Sequence, residues 1–368
     1  MKATVLSDSL KQRLPTVFHA ISGRSQLPVL LNFLIEAKSG FLTISATDLE
    51  IGIVTKIGAK IEKEGKITVP AKTFFDLISN ISEEKLTLEA RETTLELKGE
   101  HLKATFPTMP AGEFPEIVSD KGKKLASLNK NALFESIAKV SFAASVDSGR
   151  PALSGVLLKK EAGGITLVAT DGYRLSLKKK ITLTNESLSE NLLVPSRILK
   201  ELLFLRESGE DFDLYVSEKA NQIILETKST ILTARLIEAE YPDYQKIIPE
   251  DYETKAIFNK EEAQNAVKAC SVFAREAANI IKVSLKKGKI VFSSSASSVG
   301  ENEIEIESKV EGEENEIAFN SRYLLDFLNA VTEEIIELQM TGPLNPGVFK
   351  TEKDKDYLHI IMPIRVQG

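Results

Sequence analysis

The sequence predicts an α+β protein made of three tandem domains, each with two helices packed on antiparallel sheet. Three observations carry this reading. Residues 165–177, ITLVATDGYRLSL, read as a β-hairpin: Ile165, Leu167 and Ala169 alternate with Thr166 and Val168, Asp171-Gly172 tolerates positive φ, and Tyr173, Leu175 and Leu177 alternate on the way back. Residues 42–54, LTISATDLEIGIV, repeat its first half about 123 positions earlier, with Ala46-Thr47-Asp48 standing for Ala169-Thr170-Asp171. A worn third copy, IVFSSSASSVGENEIEI, starts at Ile290, about 125 positions further on. That period is too long for a solenoid repeat and suits a whole domain of roughly 120 residues.

Each copy opens with a short strand, a Ser or Asn cap and an amphipathic helix. Leu10, Leu14, Val17, Phe18 and Ile21 fall at helical spacing in the first, and Leu133, Ile137, Val140 and Phe142 in the second. KAIFNKEEAQNAVKACSVFA opens the third. Pro15 lies inside the first helix, where its missing N–H and its ring predict a kink. Paired strands follow at 27–37, 150–160 and 277–287, then the hairpins. Segments 67–81, 191–205 and 316–331 each pass from strand to helix at Pro70, Pro195 and Asn320, residues suited to a helix start. More alternating strands end each copy, and the similar loops 109–118 and 237–248 lead into the next. The expected domains are 1–121, 122–250 and 251–368.

The 42% hydrophobic and 27% charged residues are ordinary for a soluble globular chain, and 368 residues suffice for three cores. No apolar run approaches the roughly 18 residues of a membrane helix, and MKATVLSDSLKQRLP lacks the apolar stretch of a signal peptide. A cytoplasmic protein without a membrane partner is expected. Cys270, the single cysteine, can form neither an intrachain disulfide nor a thiolate metal cluster. His19, His101 and His359 show no metal-ligand or triad spacing, and no GxxxxGK[ST] phosphate loop exists. Neither enzyme activity nor a cofactor or metal is expected. The net charge of −6 argues against a surface that coats nucleic acid all over, and leaves room for a local basic face. One such domain leaves strand edges unpaired, whereas three in a string pair edge to edge and two strings can close a ring.

VATDGYRLSL in the middle copy, LIEAEYPDYQKIIP at the second domain exit and the terminal YLHIIMPIRV together resemble the β subunit of bacterial DNA polymerase III, the replicative sliding clamp. The resemblance covers essentially the whole chain. It implies a head-to-tail homodimer, with six similar domains around a ring, helices lining the hole and sheets outside. Double-stranded DNA would be held topologically and without sequence preference. The other implied partners are the polymerase III alpha subunit, the clamp loader and further proteins carrying a clamp-binding motif.

Inside such a ring, Lys and Arg reach phosphates without reading bases. The helices offer Lys72, Arg197, Lys200 and Arg275, with Lys11, Arg13, Lys130, Lys139, Lys268 and Arg322 beside them. Acidic neighbours such as Asp76, Glu135 and Glu201 dilute this stripe, and a plain solvated helix face stays open as a reading. By resemblance, Arg24 and Arg150 face DNA from loops at the rim. The resemblance also implies a partner-peptide cleft between the second and third domains. One wall would hold Leu153, Thr170, Gly172, Tyr173, Arg174 and Leu175, and the loop after it Pro242 and Ile247. Met362, Pro363, Ile364 and Arg365 would complete the cleft, with Tyr323 and Leu344 added from the third copy. Apolar walls would take Leu and Phe side chains of an extended peptide, while Arg174 and Arg365 orient it. Ring closure would bring Lys103 and Phe106 of one chain to Val272, Phe273, Glu301 and Glu303 of another. The sequence departs from the family at Gln245, Lys246 and Ala278. A monomeric peptide-binding adaptor that never encircles DNA is the alternative function.

Overall fold

The computed structural model describes residues 1–23, 25–147, 149–161, 164–184, 191–205 and 211–365. They pack as two compact units. One comprises Met1–Asn131, Leu183–Leu188 and Arg197–Leu236; the other Ala132–Thr182, Ser189–Ser196 and Ile237–Gly368. This division runs through the central third because each half of that third shares a sheet with a neighbour.

In the first unit, a five-stranded sheet runs in the order Lys60–Lys63, Lys2–Leu6, Lys85–Ala90, Thr94–Lys98, Lys103–Pro107. A nine-stranded sheet joins the first and central thirds: strand Thr230–Arg235 pairs antiparallel with Ile51–Gly58, Thr230 opposite Thr55 and Ala234 opposite Ile51. The second unit holds a twelve-stranded sheet with the same joint. There Arg174–Ile181 pairs with Tyr357–Ile361, Arg174 opposite Ile361 and Lys178 opposite Tyr357. Twice, therefore, the return strand of one copy's hairpin meets the last strand of the next copy.

The helices follow their apolar stripes. Ser7–Phe18 buries Leu10, Leu14 and Val17, Ala71–Asn80 buries Phe74 and Ile78, and the two stack through Phe18 and Phe75 with ring centroids 4.6 Å apart. Burying one such side chain contributes about 1.5–3 kcal/mol, so Phe74→Ala alone would cost about 3–5 kcal/mol. Pro15 sits on the exposed side, and the helix runs through it to Phe18. The expected cap is absent there: Leu6 holds the N-cap position and offers no side-chain acceptor. Asn259 does cap Lys260–Ala274, accepting from the N–H groups of Glu261 at 2.8 Å and Glu262 at 3.2 Å. The strand-to-helix junctions fall where expected, at Pro70, Pro195 and Asn320, the last accepting from the Arg322 N–H.

The central hairpin differs from a two-residue Asp-Gly turn. Thr170 pairs with Leu175, which leaves a four-residue loop, Asp171 to Arg174. Two side chains replace the ladder there. Asp171 Oδ1 accepts from the N–H groups of Tyr173 and Arg174 at 2.9 and 3.0 Å, while Thr170 Oγ1 accepts from Gly172 N–H and donates to the Arg174 carbonyl. The first copy makes the same bonds with Thr47 and Asp48. Gly172 takes φ +92°, and Leu49 is held at φ +77° in the matching place. In the third copy the hairpin pairs Lys289–Ala296 with Gly300–Gly312.

Several sheet edges stay open, and two of them belong to a hairpin return strand and to the last strand of a domain. Among the described residues, Lys103–Pro107 pairs only with Thr94–Lys98, and Gly300–Glu307 only with Lys289–Ala296.

Candidate functional site

Beside the central hairpin the second unit carries a groove of about 720 Å³. Arg150, Pro151, Ala152 and Leu153 form one side, Thr170 and Gly172 the base, and residues 239–244 with Ile247 the other side. The base is firm because Val168, Leu175 and Leu177 pack with Leu157, Leu193, Tyr244 and Ile360 beneath it. Leu175 is fully buried and belongs to this core, not to the groove surface. Tyr241 donates its hydroxyl to the Val168 carbonyl, and burial pushes the phenol above its usual range, so it stays a neutral donor. Pro242 and Ile247 are exposed and give the wall its apolar character.

Arg174 is almost entirely withdrawn from solvent. Its Nε meets Asp171 at 3.1 Å, Nη1 meets Asp326 at 2.6 Å and Nη2 donates to the Phe142 carbonyl at 2.9 Å. Its guanidinium carbon lies 4.5 Å from the Tyr323 ring centroid and 5.4 Å from that of Phe142. Three donor atoms are thus committed inside the protein. Arg174 organises the wall, including Tyr323, and keeps little donor capacity for a ligand.

The tail of the chain continues the site. Past the end of strand Tyr357–Ile361, Met362 donates its N–H to the carbonyl of the exposed Tyr173, and Ile364 donates to the Ala318 carbonyl, both at 2.8 Å. Pro363, with no N–H, occupies the link between them. Leu344, Ile364 and Arg365 line a second cavity of about 850 Å³, together with Ala277, Lys282, Glu301 and Glu303. Of the expected cleft residues, Leu153, Thr170, Gly172, Pro242 and Ile247 line the first cavity and Leu344, Ile364 and Arg365 the second, while Tyr173, Arg174, Leu175, Tyr323, Met362 and Pro363 line neither. Met362 and Pro363 connect the two cavities along the chain.

The cations expected to face DNA are placed unevenly. Lys72 and Arg275 are exposed, and Lys200 is half-buried. Arg197 binds the Asp48 carboxylate and the His19 carbonyl. Arg150 lies in the groove wall, its Nε on Asp147 and its Nη1 on the Asp171 carbonyl, each at 3.1 Å. Arg24 lies outside the described residues. Lys139 corrects the helix-cation reading: it is fully buried, with Nζ bonded to Glu135, Glu333 and Asp354, and cannot reach a phosphate. Two of the three partners could not be read locally, since Glu333 and Asp354 stand 194 and 215 positions away. Only Glu135, four residues before Lys139 on the helix, was a visible signal.

At the open edges, Lys103 is exposed and meets Glu96 at 3.1 Å. The hydrogen bonds from Lys98 and Lys103 hold the Glu96 carboxyl down at about 2. Phe106 is only 4% exposed and packs on Phe74, so it is a core residue and not a free contact. On the other edge Glu301 and Glu303 are exposed, as is Val272 at the end of helix Lys260–Ala274; Phe273 lies beside the Gly300 turn.

Comparison with known proteins adds the family. The sequence matches the N-terminal domain of the DNA polymerase III beta subunit over residues 1–118, its central domain over 127–243 and its C-terminal domain over 245–365. A beta sliding clamp from Synechococcus elongatus is 30% identical over 377 residues, covering 100% of both chains. The DNA polymerase sliding clamp from Bacillus subtilis superposes with a TM-score of 0.92 at 27% identity, again over 100% of each chain. A sliding clamp from Bartonella birtlesii, in a crystal structure bound to griselimycin, gives 0.93 at 25% identity over 100% of each. The chain belongs to the DNA polymerase III beta subunit family, the bacterial sliding clamps.

Proposed function

We propose that two copies of this chain close head to tail around duplex DNA and tether replication proteins through the groove beside the central hairpin. One observation carries the reading: the same joint is built twice inside the chain, and the parts for a third are left over. Each internal joint pairs a hairpin return strand with the last strand of the following domain. Gly300–Glu307 is the return strand of the third hairpin, and Lys103–Pro107 is the last strand of the first domain. Both edges are open among the described residues, and their cationic Lys103 and acidic Glu301 and Glu303 are complementary. Repeating the joint between two chains gives six domains and removes both open edges. We take the domain boundaries near residues 121 and 250.

A chain of net charge −6 binds DNA weakly, so retention comes from enclosure and the cations only space the duplex from the wall. Lys72, Arg197, Lys200 and Arg275 are the proposed phosphate contacts. Arg150, committed to Asp147, serves the groove instead. The groove takes an extended peptide: Leu153, Pro242 and Ile247 receive apolar side chains, and Met362 and Pro363 lead it toward Leu344. The proposed partners are the polymerase III alpha subunit, the clamp loader and other proteins carrying a clamp-binding motif.

The experiment is topological. Loaded protein should remain on nicked circular DNA and slide off after linearisation. Equal loss from both forms would favour the monomeric adaptor. For the groove, Met362→Ala with Arg174→Ala should weaken binding of a clamp-binding peptide more than tenfold while the dimer mass persists, and unchanged binding would remove the assignment.

A further inference from the structure

The buried ammonium of Lys139 fills a cluster of three carboxylates close enough together to hold a cation. Its three partner oxygens, on Glu135, Glu333 and Asp354, lie within 4.8 Å of one another. Lys139 Nζ meets them at 2.8, 2.7 and 2.9 Å. Asp354 also takes a hydrogen bond from Lys178, on the hairpin return strand. Without the ammonium, clustered carboxylates carried by three separate segments would repel one another at short range. With it, the end of helix Lys130–Val140 is fastened to residues 333 and 354 of the C-terminal domain.

What this fastening controls can be followed bond by bond. The Lys139 carbonyl accepts from Ser176 Oγ at 2.8 Å and from the Tyr357 hydroxyl at 3.1 Å, which pins it to both strands of the internal joint. Three residues on, the Phe142 carbonyl holds Arg174, and Arg174 carries Tyr323. Farther along, Ser145 donates its N–H to the Leu153 carbonyl in the groove wall at 2.8 Å. The same strands end at Tyr173 and Met362, which are bonded to each other beside the groove. The Leu153 end of the wall and, through Arg174, the turn at the groove base thus trace back to residues 139–145, while Arg150 is held by Asp147 and the Asp171 carbonyl.

We propose that Lys139 is a positioning residue for partner binding: an internal cation, occupying a tricarboxylate site, that sets the geometry of the peptide groove from beneath. Burial alone would lower its pKa, but the hydrogen bonds to Glu135, Glu333 and Asp354 override this and raise it, so the group stays charged. Burial likewise opposes ionisation of Asp354 and Glu333, and their lysine hydrogen bonds prevail. This inference rests on the groove being the peptide site.

The test uses the full-length dimer and a fluorescein-labelled decapeptide ending in Leu-Phe. Lys139→Met should keep the far-ultraviolet circular dichroism and the dimer mass while weakening the peptide about tenfold. Lys139→Ala opens the tricarboxylate site. Added Mn²⁺ should bind there, give an electron paramagnetic resonance signal absent from Lys139→Ala/Asp354→Asn, and restore affinity to within about twofold. A purely structural role would show no such rescue by a different cation. Wild-type affinity in folded Lys139→Met overturns the proposal. If that variant does not fold, failure of bound Mn²⁺ to restore the Lys139→Ala protein overturns it instead. Ile247→Asp with Leu153→Asp separates the two readings: wild-type affinity in that double variant removes the groove itself. Loss there, beside intact Lys139→Met binding, removes only the role of Lys139.

Discussion

The joint between the first and central domains and the joint between the central and C-terminal domains share a strand pairing but differ in their fastenings. In the first, Arg197 reaches from the central domain to Asp48 in the hairpin turn, and His19 meets Glu201. Arg197 and His19 are more than a third exposed. In the second, Asp171 takes its arginine from its own turn, Arg174, and a fully buried lysine locks the far end of the strands. The exposed joint has only to persist. On the proposed function the buried one also carries the peptide groove, and buried charge networks rigidify such a surface when every member is satisfied.

The largest expected effect comes from breaking the buried side of this comparison. Arg174→Met leaves Asp171 unpaired in a nearly dry site and should destabilise the second unit by about 2–3 kcal/mol, discounted because Asp326 is 45% exposed. Arg197→Met also leaves a shielded carboxylate, Asp48 at 11% exposure, but removes a guanidinium that is itself 44% exposed, and should cost less, about 1 kcal/mol. Urea titration of both variants reads the difference, and equal costs would erase the distinction.

Next in size is the turn that both joints share. Thr47→Val and Thr170→Val each remove one accepted and one donated hydrogen bond at a buried position and should cost about 1–2 kcal/mol apiece. Matching losses in urea midpoints would confirm that the repeat is energetic as well as geometric.

Acid should act on the buried joint. Asp354 and Glu333 have depressed pKa values, so the unfolded chain binds more protons than the folded one. Their contribution is complete only above the unfolded carboxylate values, roughly pH 5, and is lost as pH falls through the folded values. Lys139 has the opposite sign: its share is complete below about pH 10.5 and disappears only above it. Urea midpoints between pH 3 and 6 should fall more steeply for the wild type than for Lys139→Met. The smallest effect is Leu49→Gly, which relieves φ +77° in the first turn and should stabilise by less than about 1 kcal/mol, while Gly172→Ala at φ +92° should destabilise by a similar amount.

These contrasts show what was legible in the sequence. The Thr-Asp pairs at 47–48 and 170–171, the helix-start residues Pro70, Pro195 and Asn320, and the third hairpin after Ile290 all announced the fold, because repetition and period depend on local order along the chain. The groove was partly legible through Leu153, Thr170, Gly172, Pro242 and Ile247, which line one cavity. Burial was not. Lys139 resembles any helix-surface lysine until Glu333 and Asp354 arrive from the next domain, and Phe106 resembles an edge residue until Phe74 packs on it. Nor did the Asp-Gly dipeptide reveal a four-residue loop, since Thr170 and Asp171 set the loop length through side-chain bonds.

The central claim, a third joint made between two chains, is tested most directly by amide hydrogen exchange at micromolar concentration. Amides facing outward along Lys103–Pro107 and Gly300–Glu307 should be protected to the level of those in Ile51–Gly58, and should lose that protection in Lys103→Glu. Rapid exchange at both edges in the wild-type protein, together with a sedimentation mass near the single chain's 40.5 kDa, would contradict it.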